Sequence, residues 1–99
     1  MTIHNLFVAY DLIQPGQNYE AVQDRIKRLG KWYKLQYSLY YVQSALDSET
    51  AHYFVRVAMD SSDKLAVIDA VAAYVSNVPS GDLSVLQAVF AEGPAYLPA

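Results

Sequence analysis

The chain has no cysteine in 99 residues, so disulfides and thiolate metal sites are excluded and redox logic leaves its compartment open. No apolar run approaches the ~20 residues that a bilayer crossing needs. No basic segment leads into an apolar core near the start, so a secretory signal is not expected and the expected location is cytoplasmic. Glycine is scarce, with four residues in all, and none are grouped into a phosphate-cradling loop. Charge is sparse too. Only 17% of residues are charged and the net charge is −3, which gives no bulk electrostatic case for nucleic acid. No Ser-His-Asp arrangement, internal repeat or low-complexity stretch is discernible.

What is present is apolar and aromatic. Hydrophobic residues make up 54% of the chain, the composition of a folded protein rather than a disordered one. The length suits one core and not two. Residues 1–92 are expected to form that single domain, with 93–99 as a loose tail. Nine tyrosines suggest half-buried surfaces, since the ring is apolar and its tip polar. With so few charges to keep a surface wet, the expectation is an oligomer, and a twofold homodimer is the commonest kind.

The periodicities give an order of elements. Residues 3–12 are apolar at nearly every position and predict a strand central in its sheet. Pro15-Gly16 breaks the chain and Asn18 is placed to cap a helix. Tyr19, Val22, Ile26 and Leu29 recur at spacings of three, four and three, predicting a helix over 19–29 with one buried stripe. Gly30 stands where a left-handed helix cap belongs. Residues 31–44 are rich in strand formers, and their length predicts a hairpin broken near Tyr37-Ser38. Asp47 or Ser48 caps a helix over 48–59, with Ala51, Phe54, Val55 and Ala58 on its apolar face. Asp60 to Asp63 is a polar turn, and Lys64 to Ala70 a strand. The sum is β-α-β-β-α-β, an α+β ferredoxin-like unit with a four-stranded antiparallel sheet and both helices on one face. A short C-terminal helix is expected from about residue 80 to 91, carrying Leu83, Leu86, Val89 and Phe90.

Chemistry centres on Asp11, a carboxylate at the tip of the first apolar strand. A charge in such surroundings is costly unless it is paired or holds a metal. It has two readings, a metal ligand or a cap of the following turn. Ser38 likewise either polarises a phosphate or closes the hairpin. Arg25, Lys27, Arg28, Lys31 and Lys34 fall within ten positions and can track phosphates or form a solvated helix face. Glu20 and Asp24 share a helix face with Arg28, as in ordinary i,i+4 pairing. Tyr33, Tyr37, Tyr40 and Tyr41 can stack on bases, but a dimer contact using Tyr37, Tyr40 and Tyr41 explains the hairpin tyrosines more simply. Asp69, at the end of the last strand, is a candidate second carboxylate for the Asp11 region. His4 and His52 have no partner at metal-ligand spacing.

Tyr10-Asp11-Leu12, Pro15-Gly16-Gln17-Asn18-Tyr19, Ile26-Lys27-Arg28-Leu29-Gly30-Lys31-Trp32 and Gln36-Tyr37-Ser38-Leu39-Tyr40 resemble the small SinR-type proteins of the CRISPR-associated "Cas two" (VapD-like) superfamily. Asp60 to Ile68 is similar to its final core strand, and the resemblance covers roughly residues 4–90. It implies a ferredoxin-like homodimer in which the Asp11 carboxylates of two subunits face each other across a cleft. In relatives described as nucleases that pair holds a divalent metal, Mg2+ or Mn2+, and RNA or DNA phosphodiesters are hydrolysed. Other relatives are structural parts of DNA-integrating complexes. The chemistry is self-consistent, because a hard cation prefers carboxylate and water oxygens and neutralises charge on a phosphate. Two further readings stand beside a metal-dependent endonuclease. One is a non-catalytic dimeric scaffold for a protein or nucleic-acid partner, and the other is a small-ligand regulatory module. Fold alone does not choose among them.

Overall fold

The computed structural model describes residues 3–13 and 19–73. Six elements follow in the order β1 (His4–Asp11), α1 (Tyr19–Lys27), β2 (Gly30–Gln36), β3 (Leu39–Ser44), α2 (Ser48–Arg56) and β4 (Lys64–Asp69). The four strands make one sheet in the order β2-β3-β1-β4, every neighbouring pair antiparallel. The apolar first strand is thus central, as its composition predicts. It pairs Phe7 with Tyr41 on one side and with Ile68 on the other.

Alternation along the strands divides the sheet into two faces. Leu6, Val8 and Tyr10 of β1 and Tyr40 and Val42 of β3 join Val22, Ile26, Ala51 and Val55 from the two helices in a single buried cluster. Both helices therefore lie on this face. Burial of each large side chain there stabilises by about 1.5–3 kcal/mol. Of the expected α1 stripe, Val22, Ile26 and Leu29 are buried, while Tyr19 is half exposed. Arg25 locks the helices together, its Nε donating to Phe54 O at 2.8 Å and its guanidinium lying 3.8 Å above the Phe54 ring.

Both helices end earlier than their periodicity suggests. Ala58 N donates to Val55 O and Met59 N to Arg56 O, so the last turn of α2 tightens to i→i+3 bonds. Asp47 is the N-cap, accepting from Thr50 N at 2.8 Å. The hairpin breaks at Tyr37-Ser38, as its length predicts, with an irregularity of register between Lys34 and Gln36. Such a bulge on an edge strand twists it and discourages further pairing.

Gly30 does not cap α1 in a left-handed conformation. It opens β2, and a Cβ built there would stand 1.9 Å from Gln43 O. The residue is needed for close approach of two backbones. The Pro15-Gly16 turn, the Asn18 cap, the helix over 80–91 and the tail over 93–99 lie outside the described residues.

Candidate functional site

Asp11 ends β1 with its neighbours Tyr10 and Leu12 both anchored in the core. Alternation then turns its side chain to the face away from the helices, where it is exposed. Ala9, two positions earlier, pairs with Ala66, and Asp11 pairs with Lys64. Two small residues side by side leave a shallow depression of about 250 Å³, lined by Ala9, Tyr10, Asp11, Lys64, Leu65 and Ala66. Asp11 and Lys64 stand at one end of it. Among the described residues, neither side chain makes a hydrogen bond or ion pair. An anionic oxygen pair and an ammonium therefore flank the same open surface.

The position of this strand tip is fixed from two sides. Tyr10 N donates to Ser38 O at 3.1 Å, so the β2–β3 turn and the end of β1 lie together. Ser38 reaches the region by its carbonyl, and Tyr37 beside it is 90% exposed. On the other side, the buried carboxylate of Asp63 accepts from Ile13 N and from Asp60 N, each at 2.9 Å. Arg56 Nη1 donates to Asp63 O at 2.9 Å and ties the same turn to α2. The bond to Ile13 N holds the chain just past Asp11, and the bond to Asp60 N fixes the turn that carries the carboxylate. In the sequence Asp63 is one acid of a polar turn, and its partner Ile13, 50 positions away, leaves no local signal. Lys64 was equally unmarked, although pairing the end of β1 with the start of β4 brings it beside Asp11.

Asp69 does not approach Asp11. The antiparallel register sets Asp11 opposite Lys64 and Asp69 opposite Leu6, five positions and thus about 17 Å along the ladder. Asp69 instead bonds His4 Nδ1 at 2.5 Å at the other end of the sheet. Among the described residues no three His, Asp or Glu side chains converge as a metal-holding group. Asp11 is therefore the sole carboxylate that one protomer's described residues offer to the depression. Magnesium is commonly held by one or two carboxylates with waters and substrate phosphates, so a carboxylate is the right kind of donor for it. The open, unpartnered carboxylate fits that role.

The basic cluster is dispersed by the fold. Arg25 serves the helix pair, and Arg28 bonds Asp24 at 3.0 Å across one turn, the i,i+4 pairing its spacing predicts. Lys27 Nζ lies 4.6 Å from the centre of the Trp32 ring, and Lys34 Nζ lies 5.4 Å from that of Tyr37. Lys31 projects to the other face of β2, by alternation with Trp32.

The hairpin tyrosines part company as well. Tyr40 is 1% exposed within the core, so its ring is not presented to a second subunit. It stacks at 6.4 Å on Tyr10, whose hydroxyl accepts from Gln23 Nε2 at 3.1 Å. Burial first, and the neighbouring Tyr10 second, push the Tyr40 hydroxyl pKa above the ordinary value. Tyr41 is buried on the opposite face, its hydroxyl donating to Asn5 Oδ1. Of the three tyrosines read as dimer contacts, only Tyr37 is exposed. His52 packs edge-on against Tyr53, far along the chain from the depression.

No described helix is long and apolar enough to cross a membrane. Compared with family models, curated proteins and solved structures, the chain matches none.

Proposed function

We propose that this chain is the protomer of a ferredoxin-like homodimer that hydrolyses nucleic-acid phosphodiesters with a divalent cation held between the Asp11 carboxylates of two subunits. The observation that carries this reading is the Asp11 carboxylate itself, exposed beside Lys64 over an open depression with no described partner. The strand order β2-β3-β1-β4 with two helices on one face supports the ferredoxin-like part. The low charge content and the exposed Ile68 and Val71 at and just past the outer strand support a second copy.

Magnesium or manganese, when bound, would supply charge neutralisation at the phosphate and lower the pKa of a water. The remaining work falls to the chain. Asp11 contributes one carboxylate per subunit. The Lys64 ammonium balances a non-bridging phosphate oxygen as a point charge. The Ser38 and Asp63 hydrogen bonds keep the strand tip from moving as the substrate settles. In the overall reaction a water oxygen bonds to phosphorus and the bond from phosphorus to one sugar oxygen breaks. That oxygen leaves with a proton, and the water's other proton passes to solvent.

Labelled single- and double-stranded RNA and DNA should be cleaved by the purified protein with magnesium or manganese and left intact with chelator. Asp11→Ala should abolish cleavage while scattering shows an unchanged dimer. Intact substrate in every metal, with the dimer present, would sink the reading.

A non-catalytic dimeric scaffold is the second reading, favoured by the single carboxylate that the described residues bring to the depression. A small-ligand module is less well served. The depression's 250 Å³ falls short of the ~300–1,000 Å³ typical of ligand pockets.

A further inference from the structure

We infer that a ridge on the helix side of the sheet, made by the end of α1 and the outer strand β2, binds single-stranded nucleic acid, with Trp32 as a stacking platform and Lys27 and Lys34 as phosphate contacts. The ridge lies on the opposite face from the Asp11 depression and does not depend on catalysis there.

Three observations converge on it. The span from Arg25 to Lys34 holds no carboxylate, and of its five cations Lys27 and Lys34 stand beside exposed rings on this side of the sheet. The nearest acid on α1, Asp24, is already neutralised by Arg28 at 3.0 Å. Within this span Trp32 is 45% exposed, because the helices cover the middle of the sheet and leave the edge strand partly bare. Its ring leans on Tyr40 at 5.8 Å, which fixes its orientation from below, while Lys27 Nζ stands 4.6 Å from its centre. Two positions further, Lys34 Nζ lies 5.4 Å from the centre of the Tyr37 ring at the hairpin tip, which is 90% exposed. Cation, indole, cation and phenol thus follow one another in sequence from the end of α1, through β2, to the hairpin tip.

Lysines on an edge strand have a bland explanation, since they discourage edge-to-edge aggregation. That explanation does not reach Lys27 on α1, and it does not cover the exposed indole and phenol beside these lysines, which would promote the association the lysines prevent. Aromatic platforms in a positive groove are the means by which single strands are held without sequence preference. From Trp32 on β2 to Tyr37 in the turn beyond it, an extended chain reaches at most about 17 Å, the length of up to about five stacked nucleotides at ~3.4 Å each. An acidic protein segment would satisfy the lysines and leave the rings without a flat partner.

Trp32 is the single tryptophan, so its fluorescence reports on the ridge alone. The full chain should be titrated with an oligothymidylate of about 20 nucleotides in chelator, at several salt concentrations. Repeating the titration with Asp11→Ala keeps this test separate from cleavage. Saturable quenching that weakens with salt is expected in both proteins. The double variant K27Q/K34Q keeps the fluorophore and alters only exposed side chains. Its plot of log affinity against log salt should be shallower by about 1.4, for two single-strand phosphate contacts. Trp32→Leu, followed by anisotropy of a labelled oligonucleotide and checked for fold by circular dichroism, should bind about 5- to 150-fold more weakly. Absence of saturable quenching would overturn the proposal, as would wild-type affinity and slope in the double variant. Equal competition by polyglutamate of matched charge would also overturn it and point to an acidic protein partner.

Discussion

Two acids near the end of β1 have opposite fates, and their environments say which one a mutation will destabilise. Asp11 is exposed and bonded to no described group, so its removal should change stability by no more than about 0.5 kcal/mol. Asp63 is 6% exposed and satisfies two backbone N–H groups. Asp63→Ala leaves those donors unpaired and should cost about 1–3 kcal/mol in denaturant unfolding. Because the bond to Ile13 N holds the chain just past Asp11, the proposed function predicts that this variant also loses cleavage at temperatures where it is still folded. Asp47 behaves differently with pH. The N–H of Thr50 holds its carboxyl pKa below the ordinary value, the side-chain bond to Thr50 adding to it. The anion is thus favoured in the folded state, and its stabilisation is complete above about pH 4 and lost as pH falls through the lowered folded value. Melting curves of Asp47→Ala should lie below wild type at neutral pH and converge with it in strong acid.

At the scale of elements, Gly30 offers the sharpest test. An added Cβ would meet Gln43 O at 1.9 Å, and both groups belong to paired backbones that do not yield easily. Gly30→Ala should destabilise by about 1–3 kcal/mol, as overpacking does, and a fall in the urea midpoint would show it. The existence of this glycine was plain in the sequence but its reason was not. A helix followed by Gly reads locally as a left-handed cap, whereas the close approach comes from a strand 13 positions away. The same division runs through the whole chain. Periodicity gave α1 to within two residues and hairpin length located the Tyr37-Ser38 turn, because both depend on neighbours in sequence. Pairing register is not legible in the sequence, so Asp69 stands there only as a candidate for the Asp11 region, whereas it lies at the far end beside His4. Nor did the run of five cations reveal that Arg25 turns inward to Phe54 while Lys27 lies over Trp32. Ionic side chains choose partners through tertiary contacts, and spacing along the chain does not carry that choice.

For the whole molecule, the homodimer reading makes the outer strand the place to look. Ile68 is 56% and Val71 83% exposed, and no described strand pairs with the outer edge of β4. If a second copy packs here, Ile68→Asp with Val71→Asp should give a monomer by light scattering with little change in circular dichroism. A dimer that persists in this double variant would place the subunit contact elsewhere.

The central position of β1 also has a mechanical consequence. β1 is the first strand in sequence, yet it is bonded along both edges, to β3 and to β4. A motor pulling on the chain ahead of His4 loads two ladders at once, in shear, before anything gives way. Among the described residues, β4 is an edge strand with one ladder to peel when pulled from beyond Asp69. The described sheet should therefore yield to an energy-driven unfoldase much faster when pulled through β4 than when pulled through β1.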